Sequence, residues 1–279
     1  VNLPGSVEPS IEQDPPKSLA KVDDMHGAPI LNSIFLRDTP YVAFFETRQE
    51  SLMKRTAEFS ISDSLKEAAI DLRYLLDREY PRNAALSLVG DRYRLDVRER
   101  HGVHRVVFPT AEAKRRRAKL IGRENLKNRI LAVDGYNVLI TLENALLGRL
   151  LLMADDGVIR DTEGISASYK PAWEPKSATR RALNLLMSTL RSAGLRYCFF
   201  GFSEAMSGSG LLSEKIRNLL QPWEIPGTSD TLRSVLPELL QHGEVLATAN
   251  SALMDLCDKV YDLTGDIILR ELKLEPLHL

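Results

Sequence analysis

Carboxylates at the ends of apolar runs are the residues whose type and spacing point to chemistry. The run "RILAVD" (129–134) stops on Asp134, and Gly135, Tyr136 and Asn137 follow. An acid that closes a strand can help hold Mg2+ or Mn2+, which favour carboxylate and water oxygens and can activate water for phosphodiester hydrolysis. Asp134–Gly135 also suits a strand-to-helix turn, and Asn137 suits the cap of the helix after it. Further acids stand downstream in "MADDGVIRD" (153–161) and "NSALMD" (250–255). We take Asp134, Asp156, Asp161 and Asp255 as candidate catalytic acids. The candidate metal ligands are Asp134, Asp155, Asp255 and the amide oxygen of Asn250. Plainer roles stand beside these. Asp155 and Asp156 precede Gly157 as hairpin-turn residues do, and Asp161 and Glu163 suit a surface where Arg160 pairs with either. Asp255 and Asp258, three apart, are ordinary on an exposed helix. The loop "SEAMSGSG" (203–210) could offer backbone N–H groups to phosphate, but it lacks the Gly-Lys-Ser/Thr ending of a P-loop.

For such acids to meet, the chain must build a sheet whose strands end on one rim. After Arg129 the sequence alternates strand runs at 129–134, 195–202, 244–249 and 259–263 with helical patterns between them, among them "NVLITLENALLG", "SATRRALNLLMSTLRSAG", "SGLLSEKIRNLLQ" and "SDTLRSVLPELLQHG". That order predicts an α/β fold, a mainly parallel sheet between helical layers, with ligands at the carboxyl ends of its strands. "RLLLMADDGVIRD" (149–161) reads as an added hairpin.

The segment before the sheet is helical and basic. "SLKE" (64–67) forms a capping box, and Leu65, Ala68, Ala69, Leu72, Leu75 and Leu76 trace one face of a helix over 64–79. Pro81 stops it, Asn83 can cap a second helix that Gly90 ends, and Asp96 with Glu99 boxes a third. The last two have helix-turn-helix proportions, and a small bundle with solvated arginines stays open beside that reading. Residues 54–130 hold 19 basic and 11 acidic groups, against 14 and 19 in 131–279. Arg92, Arg94, Arg98, Arg100, Arg115, Arg116 and Arg117 are therefore the candidate nucleic-acid contacts.

Composition excludes several classes. With 44% hydrophobic and 27% charged residues the 279-residue chain can bury an ordinary core. No apolar run reaches the ~20 residues of a membrane helix, so a cytoplasmic protein without membrane contact is the expectation. Cys198 and Cys257 lie in apolar runs without metal spacing and are expected to be buried thiols. Residues 1–53, rich in Pro, Ser and acids, are expected to be disordered, and the clean start at Met53 leads to the expectation that 1–52 is upstream or processed sequence.

"LRYLLDREYPRNAALSLVGDRYRLDVRERHGVHRVVF", "LAVDGYNVLITLENALLG" and "ADDGVIRDTEGISASYK" together resemble the domain-of-unknown-function family four-three-four with its PIN-like C-terminal partner, over about residues 55–270. The resemblance implies a helical N-terminal part and a PIN-like α/β/α part, a class that includes Mg2+- or Mn2+-dependent ribonucleases. It makes Asp134 the first PIN-type acid. Asn250 stands where an aspartate is expected, and Ser203 in a loop where relatives place another acid, so one negative charge or more is lost. The expected organisation is a basic helical module at 54–128, a PIN-like domain at 129–270 and a tail at 271–279. The leading expectation is a metal-dependent nuclease acting on RNA, or a degenerate form of one. A noncatalytic nucleic-acid-binding protein and an enzyme on a small phosphorylated metabolite are the alternatives, and a homodimer stays open.

Overall fold

The computed structural model describes residues 61–163, 169–174 and 177–279. The expected disorder of 1–53 falls outside these residues. Four helices come first: α1 (Asp63–Leu76), α2 (Arg82–Arg92), α3 (Val97–Val106) and α4 (Thr110–Arg117). The cap of α1 is Ser62 rather than Ser64, because Ser62 has the extended backbone a cap needs and its hydroxyl accepts the Leu65 N–H at 3.1 Å. Leu65, Ala68, Ala69, Leu72 and Leu76 bury the expected face. Helix α2 runs through Gly90 instead of ending there; the Arg100 guanidinium packs where a Gly90 side chain would stand. Both halves of the Asp96/Glu99 capping box form at the start of α3.

The α/β part follows as β1 (Ile130–Asp134), α5 (Gly135–Leu146), β2 (Leu151–Met153), β3 (Ile159–Asp161), α6 (Ala178–Ser192), β4 (Tyr197–Ser203), α7 (Ser209–Leu220), β5 (Gly227–Leu232), α8 (Val235–His242), β6 (Val245–Ala247), α9 (Ser251–Leu256), α10 (Leu263–Arg270) and β7 (Leu277–His278). The main sheet has the order β5-β4-β1-β6, every neighbouring pair parallel. Alternation along the strands sorts the layers. Leu131 and Val133, Phe200 and Phe202, and Val245 and Ala247 join one core with α5, α6, α7 and α10. Ala132, Phe199 and Leu246 face the other side, toward α8 and α9. The result is a three-layer α/β/α arrangement behind a helical N-terminal region.

Every residue of α5 is buried, the polar Asn137, Thr141, Glu143 and Asn144 included, so the helix is covered all round rather than along one stripe. The expected hairpin forms, with β2 antiparallel to β3 and Gly157 in the left-handed region at φ 84°. Its residues divide between cores: Leu151 and Ile159 pack under the sheet, while Leu152 and Ala154 pack among α1–α4. The final strand β7 pairs parallel with β2. Two strand expectations also fail. "GTSDTL" is strand β5, where a helix was read from Ser229, because it zips against β4 from Cys198 to Ser203 and only then gives way to α8. Around Val260 there are isolated bridges to Leu120 and Leu246 rather than the strand expected at 259–263, and Asp262 caps α10 at once.

Candidate functional site

Strand β1 delivers Asp134 to the carboxyl rim of the sheet, with Gly201 of β4 as its register partner and β6 ending one residue before Thr248. Strands β4 and β5 lie on one side of β1, and β6 on the other. The winding therefore reverses between β5 and β6, and the crevice outside β1 and β6 is the switch point where open α/β sheets bind ligands. Asp134 stands there. Gly135 is required directly behind it, since the Phe202 ring occupies the space a side chain would need. That ring packs edge-on against Tyr136, with centroids 5.2 Å apart.

Asp134 is 8% exposed. The Thr248 hydroxyl donates to its Oδ2 at 3.0 Å and itself accepts the Asn250 N–H at 3.0 Å. Burial pushes the Asp134 carboxyl up to about 6, against the smaller opposing pulls of Thr248 and the Asn137 backbone N–H. Asn137 Oδ1 accepts the Ala249 N–H at 2.7 Å, and Asn250 Oδ1 accepts the Ala252 N–H at 2.9 Å as the cap of α9. The loop 248–250 is thus held to the start of α5. A carboxyl that titrates near neutrality can exchange a proton with a ligand. The oxygens beside it are largely engaged by protein donors.

The other candidate acids are engaged by arginines. Asp155 takes both an Nε and an Nη donor from Arg73, at 2.9 and 2.8 Å, and accepts the Phe108 N–H at 3.0 Å. Asp156, fully buried, receives Arg160 in a fork at 2.6 and 2.8 Å, while Arg160 Nε donates to the Ala249 carbonyl at 2.8 Å. Asp255 receives Arg116 in a second fork, both contacts at 2.7 Å, and this lowers the Asp255 carboxyl. Arg116 also lies 3.8 Å from Asp156. Arg82, Arg116 and Arg160 all approach the Phe108 ring, at 5.1, 4.6 and 5.0 Å from its centroid. This junction ties α4, the hairpin and α9 together, and through Ala249 it reaches the Asp134 loop. Asp161 is buried rather than on the surface; it accepts the Thr141 hydroxyl at 2.8 Å, with Arg105 at 3.5 Å. Among the described residues no three of His, Cys, Asp and Glu stand together as a metal-holding group.

The candidate basic contacts divide by exposure. Arg92 lies 3.6 Å from Asp71, Arg98 pairs with Glu163, and Arg100 donates to Asp91 at 2.8 Å. Arg116 is buried, whereas Lys114, Arg115, Arg117 and Arg94 are exposed. Arg117 donates to the Asp155 carbonyl. Beside α4 a cleft of about 430 Å³ is lined by Arg73, Phe108, Thr110, Lys114, Arg117 and Asp155. The hydrogen bond between Thr248 and Asp134 was not legible in the sequence, because it depends on β6 lying beside β1. Sequence reasoning also missed the Asp156–Arg160 fork, although their four-residue spacing across the hairpin turn was visible. Both cysteines are buried, and burial raises both thiols. No described helix is long and apolar enough to cross a membrane.

Comparison with known proteins places these features in a family. Residues 123–266 match the model described as domain of unknown function (DUF5616), and residues 64–119 match that described as protein of unknown function (DUF434). The first match spans more than half of the chain, which belongs to the DUF5616 family. The chain is also similar to an uncharacterized protein of Methanocaldococcus jannaschii, with 29% identity over 191 residues, covering 68% of this chain and 89% of that one. No solved structure matches.

Proposed function

We propose that this member of the DUF5616 family is a nucleic-acid-binding protein of PIN-like architecture that holds single-stranded RNA through its basic helical region. The observation that carries the reading is the contrast along α4. Arg116 is buried among Asp255, Asp156 and Glu112, while Lys114, Arg115 and Arg117 stand exposed on the same turn beside a cleft. The buried fork fixes the helix, and the exposed cations can then meet phosphates at a set spacing. The β5-β4-β1-β6 order, with an acid closing β1, supports the PIN-like description.

A second reading, a Mg2+- or Mn2+-dependent ribonuclease, is favoured by Asp134 at the switch point. The residues around it fit a divalent ion only in part: they offer one carboxylate, and the Asn137 and Asn250 oxygens already accept backbone N–H groups. Substrate phosphate oxygens would have to complete the shell. Asp134 and Asn250 are the residues that would hold the ion, which would activate water for attack at phosphorus. Fluorescence anisotropy with labelled single-stranded RNA, in EDTA and in Mn2+, followed by gel analysis of the RNA, separates the two. Binding in EDTA without cleavage in Mn2+ supports the first reading. Cleavage that needs Mn2+ and is lost in Asp134→Asn replaces it with the second, and absence of RNA binding in both conditions rejects both.

A further inference from the structure

We propose that the cleft between α6 and α7 is a stacking pocket for one nucleotide of single-stranded RNA, a second contact remote in sequence from α4. The inference rests on the RNA-binding reading above and adds a site to it. The cleft measures about 340 Å³ and is lined by Trp173, Arg180, Asn184, Lys215 and Asn218, with Leu183 and Leu219 at its apolar wall. That volume falls within the ordinary range of small-ligand sites.

The lining supplies each kind of group a nucleotide uses. Trp173 is half-buried against the sheet's main core, so its indole is held in place while part of it stays accessible. Lys215 Nζ sits 4.6 Å from the centre of that ring, a cation–π contact. Arg180 is exposed, and neither it nor Lys215 has an ion-pair partner among the described residues. Asn184 and Asn218 are exposed amides, able to donate and accept at a base edge. An aromatic platform flanked by free cations is how single-stranded nucleic acid is held without strict sequence choice, the base on the ring and the phosphates on the cations. The pocket is also joined to the rim. Tyr169, four residues before Trp173, packs edge-on against Tyr136 at 5.9 Å and donates to the buried Glu143 at 2.8 Å, and Tyr136 lies two residues beyond Asp134.

The test uses the full chain carrying Trp223→Phe, which leaves Trp173 as its one tryptophan. Titration with oligo(U) and oligo(A) should quench the Trp173 emission, more strongly for the purine. Trp173→Ala should weaken binding roughly tenfold or more, as loss of a stacked base does. Arg180→Ala, and Lys215→Ala, which also removes the cation over the ring, should each flatten the dependence of log K on log salt by about 0.7 for a lost phosphate contact. AMP in place of RNA should quench only weakly. RNA binding that is unaffected by all three substitutions and leaves the emission unchanged overturns the pocket while leaving the α4 reading intact. AMP that quenches strongly while RNA neither quenches nor competes overturns the assignment to a polymer. Absence of RNA binding by the Trp223→Phe chain and by the unsubstituted chain overturns the pocket and the α4 reading together.

Discussion

Replacing Asp134 with asparagine should stabilise the protein near neutral pH and destabilise it in acid. Burial raises the Asp134 carboxyl from 3.8 to about 6. The folded state therefore holds its proton more tightly than the unfolded state does. Between these two values the folded state binds more protons, so stability falls as pH rises. The penalty is absent below the unfolded value and complete above the folded one. Roughly two pKa units at ~1.4 kcal/mol each make it about 3 kcal/mol. Asparagine mimics the neutral acid and escapes that penalty, but it has a single acceptor oxygen for the Thr248 hydroxyl and the Asn137 N–H. One lost hydrogen bond costs about 1 kcal/mol. The variant should thus be more stable by about 2 kcal/mol at about pH 8 and less stable by about 1 kcal/mol at about pH 4. Asp262 is also raised to about 6 by burial, but it is present in both proteins and largely cancels in the difference. Urea denaturation of both proteins across this range measures the crossover. A variant less stable by the same amount at both ends would refute the reasoning and leave Asp134 as a plain hydrogen-bonding group of the turn.

Arg160→Ala should cost about 3–5 kcal/mol, because it removes both forked donors of the fully buried Asp156 carboxylate and leaves it only Arg116 at 3.8 Å; denaturant melts check this, and a cost near zero would show that Arg116 alone can take over the pair. Gly135→Ala should cost about 1–3 kcal/mol by driving a methyl group into the Phe202 ring; an unchanged melting curve would mean that the Tyr136–Phe202 packing yields freely.

The parts of the fold carried by local pattern were legible in the sequence. The Asp96/Glu99 box, the apolar face of α1, the Asp-Asp-Gly hairpin and the β1-to-α5 turn depend on neighbours a few residues away. Strand β5 was not legible, since "GTSDTL" has little apolar alternation and owes its conformation to pairing with β4. The same divide runs through the site. Asp134 could be picked out as the end of an apolar run, but its partner Thr248 lies 114 residues away. The arginine partners of Asp155 and Asp255 come from α1 and α4, at separations of 82 and 139 residues. Acids that read as free ligands in sequence are held by cations the chain brings from elsewhere, which only the tertiary arrangement reveals.

The most direct test of the central claim is the salt dependence of single-stranded RNA binding in EDTA, for the wild type and for the triple variant Lys114→Ala, Arg115→Ala, Arg117→Ala. The three side chains are exposed and lie outside the buried Arg116–Asp255 fork, and a thermal melt of the variant checks that losing the Arg117 bond to the Asp155 carbonyl leaves it folded. The wild type should bind with affinity that falls steeply with salt, and the variant should bind more weakly, with a log–log slope shallower by about 2, near 0.7 for each lost phosphate contact. Equal affinities and equal slopes for the two proteins would contradict the account.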